Sequence, residues 1–342
     1  MTQGRVRFGI VGTGRISDWV LKGALQDPRF EAVAVCSRSR DNALRFVSAH
    51  PEAFSGGAEI FTDIRDICAC PGVDAIYIGT PNSTHLPYTL EALRAGKHVL
   101  CEKPLGCSLG EVEQMTRAAR DSGKVLMEAM ISTLNPNFRT AVSSLAGLGK
   151  VRHYSSTFCQ YSSKYEKLLD GVISNSFDPD MGGGALEDIG IYTTYPLVAL
   201  FGEPAEVHPD MVYLDVCGKK VNVQGSASMR FEDGMTACIA FSKAADSFLP
   251  TEICAEGGNL ILNQIHISRE VTLVPHGAPT SGRGPSARGT SLCSGLPKDE
   301  YFYEFEEFIN VISSGALQSR VNTLDISLAN SRLMDRIKGL LP

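Results

Sequence analysis

Strand-like and helix-like segments alternate regularly through the first 130 residues of the chain. Apolar runs rich in β-branched residues end at glycines or charged residues, and amphipathic stretches follow them. The predicted strands are 6–11, 32–36, 73–78, 97–101 and 124–130, and the predicted helices are 16–24, 41–50, 87–95 and 109–122. Alternation with short turns is typical of a parallel sheet with helices on both faces. The sequence therefore predicts an α/β, doubly wound N-terminal domain over residues 1–130.

The pattern changes beyond residue 130, where strand patterns follow one another with few helices between them. The predicted strands are 151–159, 206–216, 221–231, 235–243, 252–256 and 259–263. Residues 232–234 and 257–259 are typical of hairpin turns. We expect a C-terminal α+β domain over 131–342 with a large, mostly antiparallel open sheet. Two domains suit a chain of 342 residues, because single cores stop growing near ~250–300 residues.

Two features mark the end of the chain. Residues 275–297 are rich in Gly, Ser, Pro and Arg, which predicts a long surface loop. Apolar residues then recur at helical spacing, which predicts a helix with one apolar face. They are Phe302, Phe305, Phe308, Ile309 and Ile312.

A glycine loop lies between the first strand and the first helix. Gly12-x-Gly14-x-x-Ser17 has the context of a dinucleotide-binding fingerprint, which indicates a Rossmann domain. The first glycine makes a tight turn, and the second lets backbone amides approach a pyrophosphate at the helix N-terminus. Ser17 stands where Gly or Ala is usual, which we expect to loosen helix–strand packing slightly. The candidate contacts run from Gly12 through Thr13, Gly14, Arg15 and Ile16; a plain strand-to-helix turn is the alternative.

The end of the second strand bears on the choice of dinucleotide. A site for NAD usually carries an acidic residue there, for the ribose 2′-hydroxyl. This chain has Ser37 and Arg38 instead, followed by Arg40. A hydroxyl and guanidinium groups suit a 2′-phosphate, so we predict preference for NADP(H), with NAD possible. Two solvent-facing arginines at the start of a helix are the alternative.

Three further clusters carry groups suited to chemistry. Thr80-Pro81-Asn82-Ser83-Thr84-His85 follows a buried strand, where it would reach a nicotinamide ribose, although a stiff turn before a helix also explains it. Glu102-Lys103-Pro104 ends another strand; its alternative is a weak surface ion pair. The segment 182–192 has three glycines, which permit close approach to a ligand, and then Asp188 and Tyr192 on one helix face. Pro196 should kink or end that helix.

In order along nearly the whole chain, these segments resemble the glucose–fructose oxidoreductase/inositol dehydrogenase (Gfo/Idh/MocA) family. The pieces are Gly12-Thr13-Gly14, Ser37-Arg38, Thr80-Pro81-Asn82-x-x-His85, Glu102-Lys103-Pro104 and 182–192. The chain is most similar to the dimeric dihydrodiol and NADP-dependent aldose (xylose) dehydrogenases, because many other members have histidine where Tyr192 stands. Met127-Glu128-Ala129 is similar to the end of the nucleotide domain in that branch.

The resemblance implies hydride transfer between nicotinamide and a carbinol or carbonyl carbon of a sugar or a trans-dihydrodiol-like polyol. It implies that Lys103 polarises the reacting oxygen, that Tyr192 donates or accepts the proton, and that Asp188 binds a substrate hydroxyl. Thr80, Pro81, Asn82, His85, Glu102 and Lys103 would contact the cofactor. Arg139, Phe158, Tyr161 and Lys164 are candidates for lining the substrate pocket. A homodimer or homotetramer formed through the C-terminal sheet is expected by the same analogy.

Composition limits the other partners. A net charge of −6 argues against nucleic acid, which requires a basic face. No apolar run approaches the ~20 residues of a membrane span, and the N-terminus has no secretory pattern, so we expect a cytoplasmic protein. The ten cysteines are scattered, and Cys68 and Cys70 have no partners at zinc spacing. We expect reduced thiols in or near the core and no metal.

Two other functions use the same fold. A regulatory protein could bind NAD(P) without turnover, although Lys103, Asp188 and Tyr192 together argue against it. An NAD-dependent glycosidase would need the same crevice and would show no net redox change. Formation of reduced cofactor distinguishes the oxidoreductase from both.

Overall fold

The computed structural model describes residues 4–276 and 289–341. Within these ranges the chain forms two compact units. The first comprises residues up to Ile131 together with Lys298–Leu328, and the second comprises Ser132–Pro297 and the residues from Ala329 onward. Each unit contains one sheet, as the two strand patterns predict.

The sheet of the first unit is parallel throughout. Its strands are β1 (Val6–Val11), β2 (Phe30–Cys36), β3 (Glu59–Phe61), β4 (Ala75–Ile78), β5 (His98–Glu102) and β6 (Leu126–Ala129). Their order is β3-β2-β1-β4-β5-β6, the order of a dinucleotide-binding fold. The predicted doubly wound sheet is confirmed. The short strand β3, half exposed and only three residues long, has no counterpart in the sequence prediction.

Helices cover this sheet. They are α1 (Arg15–Ala24), α2 (Arg40–Ala49), α3 (Ile64–Ala69), α4 (His85–Arg94) and α5 (Leu109–Ser122). The predicted limits of α5 are confirmed in atomic detail. Ser108 accepts a hydrogen bond from the Glu111 amide at its N-terminus, and Gly123 ends it with a φ of +62°.

The sheet of the second unit has eight strands among the described residues. They are β7 (Val151–Cys159), β8 (Glu206–Val216), β9 (Lys219–Arg230), β10 (Thr236–Ser242), β11 (Thr251–Ala255), β12 (Gly258–Leu262), β13 (Glu270–Pro275) and β14 (Thr290–Ser294). Their order is β14-β13-β12-β11-β7-β10-β9-β8. Every neighbouring pair is antiparallel except β7 and β10. The predicted large, mostly antiparallel sheet is confirmed.

The predicted loop at 275–297 is wrong in part. Residues 290–294 form β14, which pairs with β13 and extends the sheet by one strand. Polar residues such as Thr290 and Ser291 suit this exposed position, so the segment lacks the apolar alternation that marks a strand. Residues 277–288 lie outside the described residues.

The helices that begin in or near the second unit are few, as expected. They are α6 (Ile131–Leu134), α7 (Pro136–Leu145), α8 (Tyr165–Leu169) and α9 (Ile191–Phe201). Residues Leu186–Gly190, directly before α9, form a π-helical turn. Pro196 lies inside α9 and does not end it, because five more residues continue in helical conformation, so of the two predicted effects only a kink stays a prediction.

The last two helices are α10 (Phe302–Ser314) and α11 (Leu324–Ile337). Helix α10 has the predicted apolar face, but it groups with the first unit, not with the second as the predicted division at residue 130 requires. The ring of Phe305 lies 5.6 Å from that of Phe8 and 5.4 Å from that of Phe30, and Phe308 lies 5.9 Å from Phe8. Aromatic packing thus places helix α10 against the first sheet.

Among the described residues no helix has the length and hydropathy to span a bilayer. The ten cysteines form no disulfide, and Cys36 and Cys101 are buried as expected. Cys238 is exposed, contrary to the expectation of a core position, because it faces outward from β10 between buried Ala237 and Ile239.

Candidate functional site

The parallel register of the first sheet aligns the residues at its carboxyl edge. The last paired residues of β2, β1, β4 and β5 lie side by side. The next positions are Ser37, Gly12, Gly79 and Glu102. The strand order reverses between β1 and β4, and ligands of open α/β sheets bind at such a point. Four sequence-predicted segments therefore meet at one edge.

The two glycines of the loop have different roles. Gly12 has a φ of +103°, and a Cβ there would lie 2.4 Å from the carbonyl oxygen of Gly79. A Cβ on Gly14 would meet no atom within 4 Å, and no side chain caps the N-terminus of α1 beside it. An uncapped helix N-terminus presents backbone N–H groups to an anion. The loop thus combines a forced turn with open space for a pyrophosphate.

Ser17 strengthens this loop. The residue is fully buried, and its Oγ donates a hydrogen bond to the carbonyl oxygen of Gly12 at 2.9 Å. A Cβ on Gly79 would lie 3.0 Å from the same Oγ. The expectation that Ser17 loosens the packing is therefore wrong, because its hydroxyl ties the helix to the loop.

The end of β2 lies against the glycine loop. Thr13 Oγ1 donates a hydrogen bond to Ser37 Oγ at 3.2 Å. Ser39 accepts a hydrogen bond from the Asn42 amide and caps α2. Arg38, between the two serines, is exposed. Both the predicted 2′-phosphate contact and its solvent-facing alternative are compatible with this position, so the role of Arg38 stays a prediction.

The turn after β4 is held by side-chain hydroxyls. Thr80 Oγ1 and Thr84 Oγ1 share a hydrogen bond of 2.6 Å, and Thr84 also donates to the Pro81 carbonyl at 2.7 Å. Pro81 and Asn82 are half-buried and begin a short 3₁₀ turn. These residues remain accessible to a ligand.

His85 is fully buried, so it does not contact a ligand directly as its predicted cofactor role requires. Its Nδ1 lies 2.8 Å from the carbonyl oxygen of Pro104 and its Nε2 lies 3.0 Å from that of Thr80. Burial lowers its pKa, and a neutral ring donates only one of these hydrogen bonds at a time. His85 thus joins the turn after β4 to the turn after β5.

The residues around Lys103 are buried while Lys103 itself is half-buried. Glu102 Oε1 accepts a hydrogen bond from the Tyr77 hydroxyl at 2.8 Å, and burial raises the pKa of Glu102. Pro104 is held through its carbonyl by His85. Lys103 is thus the one residue of Glu102-Lys103-Pro104 whose side chain reaches the accessible edge.

Two more buried carboxyls lie in the first unit. Glu128 Oε1 accepts a hydrogen bond from the Leu105 amide at 2.9 Å, and burial raises the pKa of Glu128 to about 7. Glu304 is fully buried on α10, and neither of its oxygens has a hydrogen-bond partner among the described residues. Burial, reinforced by the charge of Glu102, raises the pKa of Glu304. Both carboxyls support the edge from behind.

The π-helical turn of the second unit presents two side chains. Of the residues from 183 to 198, only Asp188 and Tyr192 are not buried. A π-turn inside a helix frequently marks a functional site. The predicted shared face of Asp188 and Tyr192 is confirmed, and the other residues of this segment are buried.

The glycines before this turn serve packing, not close ligand approach as expected. A Cβ on Gly183 would lie 2.3 Å from the Asn175 carbonyl oxygen, and one on Gly184, whose φ is +153°, would lie 2.1 Å from Asn222 Nδ2. Asn222 accepts a hydrogen bond from the Leu186 amide at 3.0 Å and donates to Glu187 Oε2 at 3.1 Å. Asn222 thereby fixes the start of the turn.

Lys243, at the end of β10, is a residue that the sequence analysis did not select. Its Nζ lies 2.7 Å from Asp188 Oδ2. The pattern that could have found it is the one at Lys103, a lysine directly after an apolar strand.

An aromatic cluster surrounds the ring of Tyr192. Phe158 and His266 stack with centroids 4.2 Å apart and planes 14° apart. The Tyr192 ring meets both edge to face, at 5.6 Å from Phe158 and 6.0 Å from His266. Phe158 thus lies beside Tyr192, while its predicted role in lining the substrate pocket stays a prediction, and His266, in an irregular segment, had no sequence signal. Arg139, Tyr161 and Lys164 are exposed, and their roles stay predictions.

Comparison with known proteins decides the family. Residues 6–130 match a family model described as an oxidoreductase family with an NAD-binding Rossmann fold, and residues 144–261 match the GFO/IDH/MocA C-terminal domain. The scyllo-inositol 2-dehydrogenase (NADP(+)) IolU of Bacillus subtilis is 35% identical over 97% of this chain and 96% of its own. This chain belongs to the Gfo/Idh/MocA family.

Solved structures share the Gfo/Idh/MocA architecture. Levoglucosan dehydrogenase, in complex with NADH and levoglucosan, has a TM-score of 0.83 at 19% identity and covers 98% of this chain and 96% of its own. The 3-ketoreductase KijD10 of Actinomadura kijaniata, in complex with NADP and TDP-benzene, has a TM-score of 0.81 at 24% identity and 98% coverage of both chains. At these identities the likeness concerns the fold.

The first unit fits the cofactor that the Gfo/Idh/MocA family binds. Gly14 leaves room where a Cβ would stand, and the helix N-terminus beside it is uncapped. Arg38 is exposed directly after Ser37 at the same edge of the sheet. The donors are backbone amides, hydroxyls and a guanidinium group, which suit phosphates and ribose. The chain is an NAD(P)-binding oxidoreductase.

Proposed function

We propose that this protein is an NADP(H)-dependent dehydrogenase or reductase that acts on a carbinol or carbonyl carbon of a sugar or cyclic polyol. The observation that carries the proposal is the pair Asp188 and Tyr192, the only side chains left accessible along a buried helical segment. A carboxylate and a phenol one helical turn apart suit a substrate with neighbouring hydroxyl groups. Membership in an oxidoreductase family supplies the reaction class.

Residues of the first unit would hold the dinucleotide. Gly12, Thr13, Gly14, Arg15 and Ile16 would receive the pyrophosphate, and Ser37 with Arg38 the ribose 2′-phosphate. When bound, the nicotinamide ring accepts or delivers a hydride. Thr80, Pro81, Asn82 and Lys103 would line the nicotinamide end. His85 would act indirectly, by holding the backbone of these turns, and Glu102 would act through its hydrogen bond to the buried Tyr77.

Three side chains would carry the chemistry. Lys103 would polarise the reacting oxygen and stabilise negative charge on it. Tyr192 would donate a proton to that oxygen in reduction and accept one in oxidation, since a neighbouring ammonium lowers the pKa of a phenol. Asp188 would accept a hydrogen bond from another hydroxyl of the substrate and so orient it.

The first test is a substrate panel with absorbance at 340 nm. Purified protein would be mixed with NADP⁺ and, in turn, scyllo-inositol, myo-inositol, D-xylose, D-glucose, levoglucosan and a trans-dihydrodiol. We expect NADPH formation with at least one compound. The first candidate is scyllo-inositol, because the relative IolU is named a scyllo-inositol 2-dehydrogenase. Dinucleotide binding without any NADPH formation would favour a regulatory protein. Release of sugar from an aryl glycoside without net NADPH would favour a glycosidase.

We further propose a homodimer or homotetramer formed through the second sheet, in the cytoplasm. One face of β9 and β10 carries exposed small or polar residues, among them Ser226, Ser228, Thr236 and Cys238. Ten unpaired thiols suit a reducing compartment. Light scattering after gel filtration would measure the mass, and a value equal to the 36.8 kDa chain would contradict the assembly.

A further inference from the structure

Lys243 is a buried lysine whose ammonium group has partners on three sides. Its side chain is 3% exposed, and its Nζ lies 2.7 Å from Asp188 Oδ2. The same Nζ donates to the Ser176 carbonyl at 2.6 Å and lies 3.9 Å from the centroid of the Phe177 ring. A buried lysine is unusual unless it is paired. The protein therefore holds the positive charge of Lys243 at a position that is almost closed to solvent.

The ion pair is asymmetric. The side chain of Asp188 is 39% exposed, whereas that of Lys243 is nearly closed off. A ligand can reach the carboxylate and cannot reach the ammonium. A charge-assisted hydrogen bond of this length fixes the orientation of a carboxylate and favours its ionised form. An ionised carboxylate only accepts hydrogen bonds, so it selects a donor such as a hydroxyl group.

The backbone around Lys243 also makes it rigid. Its amide donates to the Val223 carbonyl at 2.9 Å, which ties it to β9, and its carbonyl accepts from the Ser162 amide at 2.9 Å. Asp188, on the π-helical turn, is thus anchored to β9 and to the end of β10 through one side chain. Rigid anchoring on a strand holds a binding group more accurately than a loop does.

We propose that Lys243 is a positioning residue that holds the Asp188 carboxylate ionised and oriented for a hydroxyl group of the polyol substrate. The inference rests on the proposed function of Asp188. Lys243 acts on the substrate only through Asp188. Its removal therefore matters only while Asp188 is present.

A double-mutant cycle tests this dependence, with steady-state oxidation of the fastest substrate of the panel by NADP⁺. Lys243→Met and Asp188→Asn are each expected to lower kcat/KM by about 10- to 100-fold, the range of one charge-assisted hydrogen bond. The rise in KM should exceed the fall in kcat. In the Asp188→Asn background, Lys243→Met should lower kcat/KM by less than about threefold. A loss as large in that background as in the wild type would overturn the proposal.

Matched measurements separate this role from a structural one. Lys219→Met removes a lysine whose ion-pair partners are Asp178 and Asp180, next to Phe177 in the chain, and should leave kcat/KM unchanged. The Kd for NADP⁺ should be unchanged in all variants. If Lys243→Met does not fold, Lys243→Gln keeps a donor for Ser176 and gives the same comparison. Wild-type kinetics of Asp188→Asn would refute the proposed role of Asp188, whereas wild-type kinetics of Lys243→Met alone would refute only the role of Lys243.

Discussion

Residues at the carboxyl edge of the first sheet divide into those that a ligand can touch and those that hold the backbone in place. Arg38 is exposed and Lys103 is half-buried, whereas His85 and Glu102 are buried. His85 hydrogen-bonds to the backbone carbonyls of Thr80 and Pro104 in two of these turns, and Glu102 accepts a hydrogen bond from the Tyr77 hydroxyl. Substitutions of the accessible residues should therefore change ligand affinity. Substitutions of the buried residues should change the stability of the fold and the positions of the turns.

Arg38 should determine the preference for NADP(H). A guanidinium group paired with a phosphate contributes about 1.5–3 kcal/mol, so Arg38→Ala should weaken NADP⁺ binding by roughly 10- to 150-fold and leave NAD⁺ binding nearly unchanged. Fluorescence titration of both dinucleotides measures this, with Arg45→Ala, on the helix α2 that follows Arg38, as the control. Equal dissociation constants for the two dinucleotides, unaltered in Arg38→Ala, would contradict the assignment.

Glu128 should make stability depend on pH. Its pKa is raised by burial from 4.5 to about 7, so between these values the folded protein keeps a proton that the unfolded chain has released. Its stabilising contribution is full below pH 4.5 and is lost as the pH rises through 7. Since one pKa unit corresponds to about 1.4 kcal/mol, the loss is on the order of 3 kcal/mol.

Urea unfolding at pH 5 and pH 8 measures this loss. Glu128→Gln should show a smaller decrease in the free energy of unfolding between the two pH values than the wild type. Glu113→Gln, at an exposed position of α5, should behave like the wild type. The same pH dependence in all three proteins would exclude Glu128 as its source.

At the scale of elements, the π-helical turn at Leu186–Gly190 and the start of α9 leave only Asp188 and Tyr192 accessible in the segment 183–198. The turn is fixed by Asn222 from β9 and by the chain reversal at Gly183 and Gly184. Because the other residues of the segment 183–198 are buried, the orientation of Asp188 and Tyr192 depends on this packing. The helix is therefore part of the site and not merely its support.

Gly184→Ala tests this dependence. The added Cβ would lie 2.1 Å from Asn222 Nδ2 and 2.5 Å from Glu187 Oε2, at a φ of +153°, so both side chains must move. We expect a loss of roughly 2–3 kcal/mol in the free energy of unfolding and a fall in kcat/KM in the fraction that folds. Gly147→Ala, whose Cβ would have its nearest contact at 3.8 Å, is the control. Equal stability of the two variants would contradict the packing role.

At the scale of the whole molecule, local periodicity was sufficient to predict both sheets. The β-α alternation predicts the parallel sheet, and uninterrupted strand patterns with hairpin turns predict the antiparallel one. The glycine loop, the Ser37-Arg38 pair and the Asp188–Tyr192 face were also accessible, because each depends on spacing within one segment. A signal that depends only on spacing within one segment does not require knowledge of the tertiary contacts.

Contacts between distant segments were not accessible from the sequence. Lys243 reaches Asp188 across the sheet, Asn222 reaches Leu186 from another strand, and His85 faces Pro104 from a neighbouring turn. Helix α10 has clear periodicity, but nothing in its own residues says which sheet its aromatic face will cover. Polar edge strands such as β14 are formed by pairing and not by an apolar pattern of their own.

The most direct test is the rate of hydride transfer in a single turnover, followed at 340 nm by stopped flow with saturating NADP⁺. Acid–base groups contribute about 10²–10⁴ in rate, so Tyr192→Phe and Lys103→Met should each slow the transfer by at least about 100-fold. The double variant should be slowed by less than the product of the two effects, since the proposed mechanism has both groups act on one oxygen. Tyr213→Phe, at an exposed tyrosine of β8, should match the wild type. Wild-type transfer rates in Tyr192→Phe or Lys103→Met, with NADP⁺ bound, would contradict the proposed mechanism.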